Sequence, residues 1–249
     1  MKKIDAILAC RTQGSRLYGK PLQNMETGGP TVLESLLGYI SEIKSVRSTI
    51  LAISDENEND GFVNIANKHN LNYAKGDQED VLGRIIKAAD EFGTEIVFRS
   101  TSENPFMLSE YGDELIDEFI SGDYDWGALM DTPDGTGIEL IKLDALKRSH
   151  IKGSRKHRSE LVSSYIFDNQ SDFKILKKKL PKKFRRSEIR LTVDYPEDLI
   201  FCQQVWRALK TKNKLIKVEN IIDFWDNNPQ FRKPLEEIGI DWGHGRLWE

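Results

Sequence analysis

The chain has 249 residues, of which 39% are hydrophobic and 31% charged. That composition supports a packed core under a well-solvated surface, in one large domain or two small ones. With 36 Lys and Arg against 40 Asp and Glu, the formal net charge is −4 at pH 7, which gives no general argument for nucleic acid or an anionic membrane as a partner.

The first predicted element is a buried strand over residues 4–10. Within one residue the chain changes character: Arg11, Gln13, Gly14, Ser15, Arg16, Gly19 and Lys20 follow on a short loop. Glycine lets a backbone approach a ligand closely, and cationic side chains with exposed N–H groups cradle phosphate. At the carboxyl end of a strand in an open α/β sheet, such a loop stands where ligands sit. The plainer alternative, a solvated basic loop, needs neither the apolar strand before it nor this density of Gly and Arg. The Walker-type phosphate loop is absent.

Residues 31–41 carry apolar side chains at helical spacing, with Thr31 as N-cap and Glu34 as its capping-box partner. A second buried strand is predicted over 49–54, a helix over about 61–69 and a short third strand over 71–76. The next helix starts within 77–84, with Val81, Leu82, Ile85, Ile86 and Ala89 on its apolar face, and a fourth strand covers 95–101. Strands alternating with helices predict an α/β fold, a mostly parallel sheet with helices on both faces. An amphipathic helix over about 109–121 follows. Beyond it, Asp134-Gly135-Thr136-Gly137 signals a turn. Strands are predicted over 137–141, 173–176 and 189–193, and helices from 143, over 158–166 and over 196–209. The basic run 177–186 reads as a solvated loop, with docking of an acidic partner as the alternative. Trp206, Trp225, Trp242 and Trp248 in the last stretch suit a core or a subunit contact. We expect one domain over 1–249: a first half to about 122, a β-rich insertion over about 123–190, and a closing strand, helix and Trp-rich tail over about 191–249. Cys10 and Cys202 match no metal-ligand spacing. The N-terminus is too polar for a signal peptide and no run approaches a membrane span, so a soluble cytoplasmic protein with reduced thiols is expected.

Two carboxylates stand at strand ends as the basic loop does. Glu103 follows the strand over 95–101, and Asp194 follows that over 189–193. There they suit a divalent cation held against a triphosphate, although Glu103 would also serve as a turn cap. Glu197 and Asp198 suit the dipole of the helix they begin. Asp80 also reads as a helix cap, and Glu139 as a solvated strand residue. His69, His150, His157 and His244 sit in no nucleophile or metal motif.

Taken in order, these segments resemble the sugar cytidylyltransferases, which include the 3-deoxy-manno-octulosonate cytidylyltransferases and, more closely, the family named for spore coat polysaccharide protein F. Arg11, Gly14-Ser15-Arg16-Leu17 and Gly19-Lys20-Pro21-Leu22 look like that family's opening loop. Asp80-Val81-Leu82-Gly83-Arg84 resembles its Asp-Val-Leu-x-Arg, and Pro133-Asp134-Gly135 with Glu139 its Pro-Asp-Gly-x-x-x-Glu. Arg158-Ser159-Glu160-Leu161-Val162 is similar to its Arg-Glu-His-Val-Thr, without the His. Ser102-Glu103-Asn104-Pro105 stands where the family has Gly-Asp-Cys-Pro or Gly-Asp-Glu-Pro, and Val193-Asp194-Tyr195-Pro196-Glu197-Asp198 where it has Val-Asp-Thr-Pro-Glu-Asp. Ser102, Glu103 and Tyr195 are departures, as is Gln13-Gly14-Ser15 in place of Gly-Ser-Thr.

The resemblance implies a Rossmann-like three-layer nucleotidyltransferase fold of the nucleotide-diphospho-sugar transferase type. It implies transfer of CMP from CTP to an acidic or amino sugar for surface glycans, with release of pyrophosphate. By resemblance Arg11, Arg16 and Lys20 are the catalytic cations. Ala9, Cys10, Arg11, Gly14, Ser15, Asp80 and Arg84 border the nucleotide, Glu103 and Asp194 hold Mg2+, and Asp134, Glu139, Arg158 and Glu160 contact the sugar. The second half then serves as the dimerising segment of a homodimer. Three alternatives stay open: a guanylyltransferase using GTP and a sugar 1-phosphate; a nucleotide-binding regulatory module, motivated by Glu103; and a glycosyltransferase, motivated by Asp123-Tyr124-Asp125.

Overall fold

The computed structural model describes residues 2–212, 214–232 and 235; Trp242, Trp248 and His244 lie outside the described residues. Strand β1 (Ile4–Cys10) is buried along almost its whole length, the mark of a strand covered on both faces. It pairs in parallel with β2 (Ser48–Ser54), with Ile7 opposite Ile50, and β2 pairs in parallel with β3 (Asn72–Gly76). On its other side β1 pairs in parallel with β4 (Ile96–Arg99). Strands β5 (Trp126–Met130), β6 (Glu139–Lys142) and β7 (Ile175–Lys179) complete a seven-stranded sheet of order β3-β2-β1-β4-β6-β5-β7. Because β6 is antiparallel to both β4 and β5 while β7 is parallel to β5, β6 alone runs against the rest.

The two faces of the sheet carry separate apolar cores. Helices α1 (Val32–Ser41), α2 (Asp60–His69), α4 (Gly112–Ser121), α7 (Pro196–Leu209) and α8 (Val218–Asn227) pack on the face that presents Ala6, Leu8 and Cys10 of β1. Helices α3 (Val81–Phe92), α5 (Leu143–Lys152) and α6 (Ser164–Asp168) cover the face of Ile7, Ile50 and Val97. The α/β expectation of a mostly parallel sheet between two helical layers is met. So is the capping box at α1: the Glu34 N–H donates to Thr31 Oγ1 at 3.1 Å, and the Thr31 N–H donates to Glu34 Oε2 at 2.9 Å. The chain leaves β1 for β2 on one side, and β4 lies on the other. The carboxyl ends of β1 and β4 therefore bound the crevice where such sheets take ligands.

Three expectations change in the second half. Residues 189–193 form no strand. Ile189, Leu191 and Val193 are fully buried, but their partners are turns: the Asp134 N–H donates to the Ile189 carbonyl, the Leu191 N–H to Asp134, and the Val193 N–H to Glu103. An apolar run shows burial, and burial alone does not supply a neighbouring strand. Residues 158–166 are not one helix: a 3-10 turn covers Arg155–Arg158, α6 begins only at Ser164, and Leu161 between them is exposed. The basic run is not simply a loop. Lys177, Lys178 and Lys179 belong to edge strand β7, where lysine also discourages edge-to-edge pairing. Lys178 pairs with Glu114 and Glu118, Lys179 with Asp131, Lys183 with Glu219, and Arg186 with Glu188 and Asp226. Most of this charge is matched within the protein, which removes the motive for an acidic partner. The strands of 123–190 extend the same sheet.

Candidate active site

The loop after β1 is built on a fixed base. The Thr12 N–H and hydroxyl donate to Asn59 Oδ1 at 2.8 and 3.1 Å, and Asn59 Nδ2 donates to the Ser54 carbonyl, which ties the loop to the end of β2. The Gly19 N–H returns to the Thr12 carbonyl at 2.7 Å and closes residues 12–19 into a ring. At Gly14 a Cβ would lie 2.6 Å from the Leu17 carbonyl oxygen, so the close turn admits only glycine. The closed loop throws Arg11, Arg16 and Lys20 into one open cavity at the carboxyl edge of the sheet, lined also by Ala9, Gly14, Ser15, Arg84, Glu103, Glu160 and Asp194.

The opposite wall comes from two later segments. The Val193 N–H bonds the Glu103 carbonyl at 3.1 Å, joining the chain after β4 to the chain before α7. Lys20 Nζ reaches across to Asp194 Oδ1 at 2.6 Å, and Arg16 lies 3.8 Å from the same oxygen. The Arg16 guanidinium stacks on the Tyr195 ring, 4.8 Å from its centroid; this is a use for the Tyr that departs from the family's Thr. Arg190 Nη2 donates to Asp194 Oδ2 at 2.8 Å. Burial works against the charged form of Asp194, and Lys20 and Arg190 more than offset it, so its carboxyl is held below the usual range. Glu103 is pushed the other way, by burial and by the charge of Asp194, with Lys20 in partial opposition. Two half-buried carboxylates facing a space rimmed by cations are the donor set that magnesium uses with substrate phosphates. Among the described residues no group of three or more His, Cys, Asp or Glu is arranged to hold a metal ion, so oxygens from outside the protein would have to complete the shell.

A model of the cytidylyltransferase family matches residues 6–233. The chain belongs to the cytidylyltransferase family. It is 28% identical over 230 residues to the uncharacterized protein MJ1063 of Methanocaldococcus jannaschii, covering 92% of this chain and 93% of that protein. It is 26% identical over 203 residues to the spore coat polysaccharide biosynthesis protein SpsF of Bacillus subtilis, covering 80% of this chain and 84% of SpsF. The solved structure of a cytidylyltransferase from Leptospira borgpetersenii shares the fold, with a TM-score of 0.82 at 22% identity over 93% of this chain and 97% of that chain. The protein is thus an enzyme of the nucleotidyltransferase class, and no helix among its described residues is long and apolar enough to cross a membrane.

Several residues expected at the site of this cytidylyltransferase are placed elsewhere or differently. Cys10 does not line the cavity: its thiol points into the core, donates to the Leu8 carbonyl, and is pushed up to about 12 by burial. Asp80 is the N-cap of α3, accepting from the Gly83 N–H at 2.7 Å and paired with His150 at 2.6 Å. Arg158 sits beside that pair, its Nη1 4.0 Å from Asp80, and does not line the cavity of Asp134 and Glu139. Arg84 lines the cavity, but its Nε and Nη1 donate to the carbonyls of Ala52 and Asp77 and brace the wall. Glu160 pairs with Arg11 at 3.1 Å. Glu139 is buried, not solvated, and accepts from Arg99, Trp126 and Ser163. Asp134 and Glu139 line a second cavity that meets the first along Arg99, Ser100 and Thr101. Asp123 and Asp125 precede β5, at the opposite end of the sheet, and pair with Lys142.

Two residues missed in the sequence organise the site. Arg190, 6% exposed, joins Asp134, Asp194 and Asp198 at 3.1, 2.8 and 2.8 Å. Asp198 in turn accepts the N–H groups of Asp194 and Tyr195. The four-residue spacing from Arg190 to Asp194 to Asp198 was a usable signal. Arg99 ends β4 and forms the wall between the two cavities, bonding Glu139 and the Glu160 carbonyl; its signal in the sequence is a charge that closes a buried strand.

Proposed function

We propose that this cytidylyltransferase transfers CMP from CTP to a sugar, releasing pyrophosphate, in the synthesis of surface polysaccharide. The observation that carries the reading is the Lys20–Asp194 contact at 2.6 Å, which joins the basic loop to a carboxylate in the cavity that Glu103 also lines. The name of SpsF supports the polysaccharide role. An acceptor hydroxyl forms a new bond to the α-phosphorus and releases its proton to water, while the bond from that phosphorus to the bridging oxygen breaks and pyrophosphate leaves with the electron pair. Phosphoryl-type transfer leaves the protein mainly positioning and charge stabilisation. Arg11, Arg16 and Lys20 neutralise the triphosphate and the departing pyrophosphate. Glu103 and Asp194 would hold magnesium, which would supply positive charge against that of the triphosphate. Arg190 keeps Asp194 in place, and Arg99 separates the nucleotide lobe from the acceptor lobe. We place the reaction in the cytoplasm and expect a homodimer.

The test is pyrophosphate release from each of CTP, GTP, UTP and ATP with magnesium and a panel of sugars and sugar 1-phosphates. CTP-dependent release is expected. Preference for GTP would assign a guanylyltransferase, and nucleotide binding without release from any pair would assign a regulatory module.

A further inference from the structure

The cations that line the cavity of the basic loop are held in two ways. Arg11 donates to Glu160, Lys20 to Asp194, Arg84 to the carbonyls of Ala52 and Asp77, and Arg99 to Glu139 and the Glu160 carbonyl. Arg16 is held by the face of its guanidinium. The guanidinium carbon lies 4.8 Å from the centroid of the Tyr195 ring. The nearest carboxylate oxygen among the described residues, Asp194 Oδ1, is 3.8 Å away, too far for a hydrogen bond. The ring stands on a fixed base. Tyr195 is the N-cap of α7, Pro196 follows it, and its N–H donates to Asp198 Oδ2 at 2.9 Å. Asp198 is buried and is itself held by Arg190 at 2.8 Å. Arg16 lines the cavity and Tyr195 does not, so the route from Tyr195 to the site runs through Arg16.

We propose that Tyr195 is a positioning residue that presents the Arg16 guanidinium to the triphosphate; the proposal rests on the cytidylyl-transfer reading above. Stacking on an aromatic ring engages the face of a guanidinium and leaves its in-plane N–H groups for phosphate oxygens. An ion pair with a carboxylate would occupy those groups instead. Asp194 Oδ1, which already accepts from Lys20 at 2.6 Å, is the anion onto which Arg16 would close if the ring were removed. The Arg16 side chain is 37% exposed, and a long exposed side chain keeps its rotamer freedom unless something packs against it. A ligand that must first order such a side chain binds more weakly than one that finds it in place. Threonine, which the family's motif carries at this position, has no ring face to offer, so the contact depends on this chain's own Tyr195.

The experiment is a double-mutant cycle in the full chain, read by calorimetric titration with CTP and magnesium. Tyr195→Thr should weaken binding about two- to fivefold, the scale of a partly exposed cation–π contact. Tyr195→Phe keeps the ring and should bind as wild type does. In the Arg16→Ala background Tyr195→Thr should change nothing further, whereas in the Arg11→Ala background the two losses should multiply, because Arg11 pairs with Glu160. An equal loss from Tyr195→Thr with and without Arg16 overturns the proposal, as does a Tyr195→Phe variant as weak as Tyr195→Thr. Threonine is itself a good N-cap, so Tyr195→Thr should fold, with wild-type circular dichroism. NMR of the arginine Nε–H groups gives a readout that needs no nucleotide. The Arg16 signal, assigned by its loss in Arg16→Ala, should carry a ring-current shift that persists in Tyr195→Phe and vanishes in Tyr195→Thr; an unshifted wild-type signal also overturns the proposal. The two readings fail separately. If Arg16→Ala weakens CTP binding but the cycle is additive, the role of Tyr195 falls alone. If wild type binds no CTP, or Arg16→Ala binds it as tightly as wild type, the assignment of Arg16 to the triphosphate falls and takes the proposal with it.

Discussion

Asp194 is held from both sides: Lys20 of the basic loop bonds one of its oxygens, and Arg190, which also bonds Asp134 of the second cavity, bonds the other. Removing either member of the Lys20–Asp194 pair takes charge from the place where phosphate charge shifts during transfer, and such preorganised charge is worth roughly two to three orders of magnitude in kcat. Lys20→Ala and Asp194→Ala should each lower CTP-dependent pyrophosphate release by about that factor while leaving circular dichroism unchanged. Full activity in either folded variant would remove these residues from the mechanism. Lys20, Arg16, Glu103 and Asp194 were legible in the sequence because each closes or follows an apolar run, and a polar group there faces the sheet edge. Cys10 misled by the same logic. It is the last residue of β1, but strand alternation turns its side chain to the core face with Ala6 and Leu8.

At the scale of elements, α1 and the turn over 133–137 show how local chemistry fixes placement. Glu34 caps α1 and also accepts from Lys68 at 2.7 Å and lies 2.9 Å from His69 Nε2, at the end of α2. Burial alone would raise its carboxyl, but hydrogen bonds from His69, Lys68 and the Thr31 N–H bring it down to about 2. A carboxyl whose pKa is lower in the folded than in the unfolded chain binds fewer protons when folded. Its contribution is therefore complete above the unfolded value of 4.5 and lost as pH falls through about 2. Chemical denaturation of wild type and Glu34→Gln across that window should give curves that converge towards low pH, with a gap at neutral pH of up to about 3 kcal/mol. Parallel curves would show that Glu34 is not the titrating group. Gly135 has φ of +88°, and a Cβ there would lie 2.6 Å from the Thr192 backbone nitrogen. Gly135→Ala should cost about 1–3 kcal/mol through strain and displacement of the 189–193 segment, read as a lower denaturation midpoint. A loss of acceptor binding larger than any loss of CTP binding should accompany it, because Asp134 and Arg190 are anchored by that packing.

For the whole molecule, the expected consequence of the fold is a site assembled only when its distant segments are together. Lys20 and Asp194 are 174 residues apart in sequence and 2.6 Å apart in space. A ligand that binds across them stabilises the folded state by mass action, so CTP at about one hundred times its Kd with magnesium should raise the melting temperature by roughly 5–10 °C. The rise should shrink when magnesium is withheld, and an equal rise with all four nucleoside triphosphates would argue against selection of the cytosine base.

Periodicity alone brought out the alternation of strands and helices through the first half, the N-cap of α1 and the basic loop after β1, because each depends on residues within a turn or a strand of one another. Family resemblance along the ordered motifs added the reaction class. Tertiary structure decided what the sequence left ambiguous. It turned the buried run 189–193 into a segment held by turns, gave most of the Lys and Arg of 177–186 internal partners, and moved Asp80 and Arg158 to the rim of α3. It also made Arg190 the shared partner of three carboxylates. The reason is physical: burial and charge are properties of a residue, whereas a partner is a property of two, and here the partners come from segments whose separation in the chain carries no local signal.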